Sequence, residues 1–156
     1  MASWRDVAAA TPEFARTVQV VFDTHKHKTM ATLRKDGSPR LSGMEATFAD
    51  GELWLGMMPG SLKARDLRRD PRMALHSATV DTELIQGDAK LSGRAIEVTG
   101  PGAWKSILPD EEPPEGSHLF RVDVTEVVLT KVGEPPDHLV IQSWHEQRGM
   151  SSVQRY

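Results

Sequence analysis

The chain has no cysteine, which excludes disulfide staples, thiolate metal sites and cysteine nucleophiles. It lacks any apolar run near the ~20 residues that a membrane span needs, so a membrane partner is not expected. It also lacks a positive charge excess: net charge is −3, and nothing in that balance points to nucleic acid. The opening MASWRDVAAATPEF carries acidic residues and no long apolar core, unlike a signal peptide, so a cytoplasmic protein is expected. No GxGxxG, Walker or GxSxG pattern occurs, which argues against dinucleotide, P-loop and elbow-serine sites. Six histidines are present, at His25, His27, His76, His118, His138 and His145, but none shows HExxH spacing, and no metal site is assigned.

What is present reads as an ordinary folded chain. Apolar residues make up 38% and charged residues 26% of 156, within the globular range and above the disordered one. The length fits a single domain over 1–156, with an N-terminal helix at 11–24, a barrel over about 28–145 and a tail at 146–156. Thr11-Pro12-Glu13 has the form of an N-cap with proline at the first helical position. Phe14, Val18, Val21 and Phe22 follow at helical spacing, and His25-Lys26-His27-Lys28 places cations at the end of that helix.

Strand signals dominate the rest. Thr29–Leu33 and Pro39–Phe48 flank an Asp36-Gly37 turn, and Asp50-Gly51 leads into Glu52–Met57. After a basic helix at Leu62–Arg69, closed by Pro71, come strands at Arg72–Ala78, Gln86–Val98, Leu119–Val132 and His138–Trp144. Gly87 and Gly93 inside the second of these predict a bend or bulge. Trp104, Ile107 and Leu108 point to a short helix, and Asp110–Gly116 (DEEPPEG) to an acidic surface loop. Roughly six or seven mostly antiparallel strands with two or three short helices predict a small β-barrel, which would also protect its strand edges.

Chemistry concentrates in Gly51–Arg72, GELWLGMMPGSLKARDLRRDPR. The Pro59-Gly60-Ser61 corner aims a helix N-terminus and an early lysine, Lys63, at the end of a strand. Amide groups, a positive dipole end and an ammonium together suit a phosphate. Ser61 can donate its hydroxyl there, or simply cap a solvated helix. Arg40 offers a second phosphate contact through its planar guanidinium, or is a surface arginine beside a turn. Leu55-Gly56-Met57-Met58 forms either a flat apolar strip against which a planar ring can lie, or core methionine packing. Trp144 reads as the last core residue of its strand or as a cover for a planar ligand.

Taken in order, these segments resemble the pyridoxamine 5′-phosphate oxidase-like family of flavin-binding split barrels. The likeness is greatest to the small flavin and deazaflavin oxidoreductases of actinobacteria. MATLRKDGSPRLSG (Met30–Gly43), ADGELWLG (Ala49–Gly56), LSGRAIEV (Leu91–Val98) and FRVDVTEVVLTKV (Phe120–Val132) carry the likeness. Its most specific part is K-A-x-x-L-x-x-D-P-R, Lys63–Arg72. The resemblance implies an antiparallel split barrel and a homodimer with cofactor sites between subunits. Lys63 and Arg40 are then the phosphate-binding residues, with the backbone of Leu55 and Gly56 along the ring and ribityl chain; Met57 and Ser61, from the residue reading above, complete the candidate cofactor-binding set.

The implied cofactor is FMN, or alternatively coenzyme F-420, whose anionic tail would call on Arg65, Arg68 and Arg69. The implied activity is hydride transfer to or from a small planar substrate. A non-catalytic flavin carrier, or a haem-binding barrel with His76 or His145 as axial ligand, is the alternative. Leu62 stands where the oxidases carry an arginine, and their C-terminal arginine and histidine segment is not recognisable. The resemblance therefore does not extend to vitamin B6 oxidation.

Overall fold

Thr11 joins the first two helices of the molecule, seen here in a computed structural model that describes residues 1–156. Helix α1 (Trp4–Ala10) starts in a capping box: the Ser3 hydroxyl accepts from the Asp6 amide, and the Asp6 carboxylate accepts from the Ser3 amide. Helix α2 (Pro12–Asp23) has proline at its first position, as expected, and buries Phe14, Val18, Val21 and Phe22. Thr11 itself does not cap α2. Its hydroxyl donates back to the Val7 carbonyl at 3.0 Å, because the same residue must end α1. The histidine and lysine run lies beyond α2 rather than in its last turn, and Lys28 opens the first strand with its side chain buried.

Nine strands form one sheet, and every pairing is antiparallel. Strands β1 (Lys28–Leu33), β2 (Pro39–Met44), β3 (Ala46–Ala49) and β4 (Glu52–Met57) come first. Helix α3 (Leu62–Arg69) follows, then β5 (Arg72–His76), β6 (Asp88–Glu97), helix α4 (Ala103–Ile107), β7 (His118–Val132), β8 (Leu139–His145) and β9 (Gly149–Arg155). The sheet runs β2-β1-β5-β6-β7-β4-β3, with β8 and β9 added beside β7.

Two expectations need correction. Pro39–Phe48 is not one strand; it breaks at Glu45 into β2 and β3, the two ends of the ordered path. The barrel is therefore split: a covalent corner joins its ends where no hydrogen-bonded ladder does, and the strand edges are not abolished. The segment taken as a tail holds β9, which completes a hairpin with β8.

Strand β7 organises the rest. One edge pairs with β6; the other takes β4 at residues 118–121 and β8 at residues 126–132. Between those two, the Val124 amide donates to the Ala2 carbonyl at 2.7 Å, so the N-terminus plugs the gap. The predicted irregularity in β6 is real: the register slips between Ser92 and Gly93. A Cβ at Gly93 would run into the Asp123 carbonyl, so only glycine permits this backbone approach.

The core joins α1 and α2 to the sheet interior through Trp4, Phe14, Phe22, Leu53, Leu91 and Phe120 among others. Burying a side chain such as Leu53 or Phe22 contributes about 1.5–3 kcal/mol. Trp144 belongs to this core. A smaller apolar cluster of Trp54, Leu108 and Leu119 lies on the opposite face of β4, with Trp104 packed against it.

Candidate functional site

The corner at residues 58–61 is a tight turn. The Ser61 amide donates to the Met58 carbonyl at 3.2 Å, with Pro59 second and Gly60 third at φ 75°. That order of proline and a left-handed glycine is the one a type II turn requires. Ser61 then caps α3, its hydroxyl accepting from the Ala64 amide at 3.3 Å. It lines neither of the two clefts described below.

Lys63 sits in the first turn of α3 and reaches back to β2, where Nζ donates to the Gly43 carbonyl at 3.0 Å. It has no ion-pair partner in the chain, and burial pulls its pKa below the usual lysine value. A half-buried ammonium without a carboxylate is poised for an anion.

Two clefts meet at Lys63. The larger, about 540 Å³, runs along Gly56 and Met57 of β4 and Met58 just beyond it, with Gly43–Glu45 and Thr47 on one wall. Trp104, Leu108 and the Glu111–Pro114 loop make the other wall. Leu55 is fully buried in the core, so only its backbone can contribute. The β3 ladder ends at the Ala46–Leu55 pair, which leaves Gly56 and Met57 paired to β7 alone. A Cβ at Gly56 would stand 2.9 Å from the Trp104 ring, so the absence of a side chain there lets the indole settle on the strand.

The smaller cleft, about 350 Å³, is lined by Arg34, Arg40, Leu41, Ser42, Leu62 and Lys63. Three of these six carry positive charge and none carries negative charge. Ser42 Oγ is buried there without a hydrogen-bond partner. Arg40 is held by its Nε, which donates to Asp66 Oδ2 at 2.7 Å. Asp66 is buried in α3 and also accepts from Thr32 Oγ1 at 2.7 Å. Burial alone would raise the Asp66 pKa, but hydrogen bonds from Arg40 and Thr32 and the charges of Arg40 and Arg69 outweigh it and hold the carboxyl low.

Two of the three other basic residues of α3, and Arg72 at the start of β5, are committed elsewhere. Arg68 forms a two-point pair with Glu97, at 2.6 and 2.9 Å, and Glu97 also meets His118 Nδ1 at 2.9 Å. Arg69 lies 3.5 Å from Asp66, and Arg72 binds Asp70, holding that carboxyl at about 2. Arg65 alone is exposed without a partner. The expected groove of Arg65, Arg68 and Arg69 does not form; the cationic surface is built by Arg34, Arg40 and Lys63 instead. His76 Nδ1 donates to the Ser77 carbonyl, His145 accepts from the Gln147 amide, and neither lines the clefts.

Sequence reading missed Ser42, Arg34 and Trp104 as cleft residues. Ser42 was within reach, since strand alternation puts it on the same face of β2 as Arg40. Trp104 was not, because its segment lies far from β4 in sequence.

An antiparallel sheet broken at one corner, with helices over its interior, defines a split β-barrel. The chain belongs to the pyridoxamine 5′-phosphate oxidase family, whose model matches residues 14–131. No curated protein matches the chain. Among solved structures, it is similar to a pyridoxamine 5′-phosphate oxidase-related, FMN-binding protein of Nostoc punctiforme PCC 73102. That pair has 15% identity over 100% of this chain and 98% of the other, with a TM-score of 0.61. An F-420 reductase aligns at 21% identity over 70% of this chain and 94% of its own, with a TM-score of 0.56. PhzG from Burkholderia lata 383, solved with tetrahydrophenazine-1-carboxylic acid, aligns at 11% identity over 95% and 90%, with a TM-score of 0.64. At these identities the likeness is one of fold. No helix is long and apolar enough to cross a membrane.

Proposed function

We propose that the chain binds a flavin-type cofactor, FMN or alternatively F-420, and serves as an oxidoreductase acting on a small planar substrate. The observation that carries this reading is Lys63 at the junction of a cationic cleft and a longer, partly apolar one. The first suits a phosphate: Lys63 and Arg40 supply charge, Arg34 adds to it, and the orphaned Ser42 hydroxyl supplies a donor. The second suits a ring and its linker, with the Trp104 indole seated on Gly56 and Met57 and Met58 beside it.

When bound, such a cofactor supplies the hydride chemistry. The chain's task is to orient it and to exclude water. The Gly56–Met57 backbone, free of β3, is the place from which an amide would stabilise negative charge on the ring's edge. Family membership and the FMN-binding and F-420 reductase neighbours support the cofactor class. The resemblance also supports a homodimer, and the exposed Leu41 and Leu62 beside the cationic cleft are suited to contact a second copy.

Titration of the protein with FMN and with F-420, read by fluorescence, tests the proposal. Lys63→Ala is expected to weaken the bound cofactor by about 1.5–3 kcal/mol, the worth of a charge-assisted hydrogen bond. Unchanged affinity in that variant refutes the phosphate assignment. Absence of micromolar binding of both cofactors by the native chain refutes the proposed function itself.

A further inference from the structure

We infer that Trp104 is the stacking wall for the planar ring, and so a positioning residue that sets both ring orientation and redox bias. This rests on the cofactor reading above. Trp104 is the sole Phe, Tyr or Trp lining the 540 Å³ cleft. The atoms nearest a Cβ at Gly56 are its Cη2 and Cζ2, at 2.9 and 3.0 Å, so the indole meets the strand with its benzo edge. With its edge against the strand and the residue lining the cleft, the indole is placed to offer a face to a second flat ring.

Two contacts fix it there. Indole Nε1 donates to Glu111 Oε2 at 3.3 Å, and the ring packs against the Trp54, Leu108 and Leu119 cluster. The indole's orientation is therefore set before any ligand arrives, which lowers the ordering cost of stacking. Lys63, which lines the same cleft and the cationic one beside it, is the residue proposed above to hold the phosphate, so ring and phosphate are held by different parts of the chain.

An indole face is electron-rich, and an oxidised flavin or deazaflavin ring is electron-poor. Offset stacking between them favours the oxidised form over the reduced one, so Trp104 should lower the cofactor's reduction potential. It should also quench the emission of a ring lying against it.

The test is an FMN titration of the native chain, Trp104→Phe, Trp104→Ala and Trp54→Phe, following flavin emission and the midpoint potential of the bound cofactor. Native protein and Trp54→Phe should quench bound FMN strongly. Trp104→Phe should keep affinity within about threefold yet restore emission severalfold, because phenylalanine stacks without quenching as indole does. Trp104→Ala should lose about tenfold in affinity, in the range of one aromatic pair, and move the potential upward. Quenching and potential unchanged in Trp104→Phe and Trp104→Ala, with native affinity, overturn the inference while leaving the cofactor reading intact. Lys63→Ala separates the two: it should weaken binding yet leave the remaining bound FMN quenched.

Discussion

Arg40 Nε and Asp66 Oδ2 stand 2.7 Å apart beneath α3, joining the strand that bears the cationic cleft to the helix that bears Lys63. Asp66 is almost wholly buried, and Arg40 keeps a fifth of its side chain in solvent. A carboxylate buried that deeply is tolerated only because Thr32, Arg40 and Arg69 surround it. The pair therefore serves two ends, tying α3 to the sheet and fixing Arg40 in the cleft.

Replacing Asp66 with asparagine keeps the shape and removes the charge. We expect a loss of about 1–3 kcal/mol in urea unfolding, with a weaker response to phosphate because Arg40 is no longer held. The pH dependence has a definite sign. The folded carboxyl titrates below its unfolded value, so its stabilisation is full above the unfolded value near ~3.9 and fades as pH falls through the folded one. The native chain and Asp66→Asn should thus converge in stability only in strong acid. A constant difference across the acid range refutes the assignment.

The two close-approach glycines should behave differently on substitution. At Gly93 the obstacle is the Asp123 backbone carbonyl in a paired strand, which cannot move without breaking the β6–β7 register. Gly93→Ala should cost about 3 kcal/mol or prevent folding. At Gly56 the obstacle is the edge of the Trp104 side chain, which can shift a few tenths of an ångström at the expense of its Glu111 hydrogen bond, as a paired backbone cannot. Gly56→Ala should cost about 1 kcal/mol in stability while disturbing the cleft. Thermal melts of the two variants, side by side, check the contrast.

Local chemistry explains which parts of this fold were legible in the sequence. Strand β4 and helix α3 were bounded correctly because their limits are local: Asp50-Gly51, Pro59-Gly60-Ser61 and Asp70-Pro71. The bulge at Gly93 was visible for the same reason. Helix α1 was not anticipated: its Ser3–Asp6 capping box is local, but its short apolar face gives no periodic signal. The break at Glu45 was not readable. Nothing in Met44-Glu45-Ala46 marks a turn, and the strand divides because its two halves pair with different partners, β1 and β4. Strand β9 is exposed along its whole length, so it lacks the apolar alternation that identifies a strand.

In the site, Lys63 was found through its turn, whereas the commitments of the arginines depend on carboxylates far along the chain. Arg68 pairs with Glu97, and no reading of α3 alone reveals that.

That commitment makes a prediction about anions. Arg68→Ala should leave affinity for FMN or inorganic phosphate unchanged and alter stability little, since the pair is solvated on the Arg68 side. Arg34→Ala, which removes a cation from the cleft shared with Lys63, should weaken phosphate binding severalfold. Calorimetric titration of both variants distinguishes them, and equal losses would mean that the basic face acts only through its total charge.

Lys63 gives the last prediction, because its burial has an observable consequence at alkaline pH. With no carboxylate beside it, desolvation lowers its pKa below the ordinary lysine value near ~10.4. In the unfolded chain the amine regains that ordinary value, so between the two values the unfolded state binds more protons. Stability of the free protein should therefore rise slightly with pH through that window. Anion binding follows the opposite course. A phosphate ester is doubly ionised above about pH 8, so the phosphate itself adds no pH dependence at alkaline pH. Affinity should be full while Lys63 is charged and should decline as pH passes its lowered value, well before an exposed lysine would lose its proton. Lys63→Arg stays protonated throughout, and should give a flat profile over the same range even if its affinity is lower. Parallel alkaline declines in the native chain and Lys63→Arg would show that another group controls binding, and would remove Lys63 from the phosphate site.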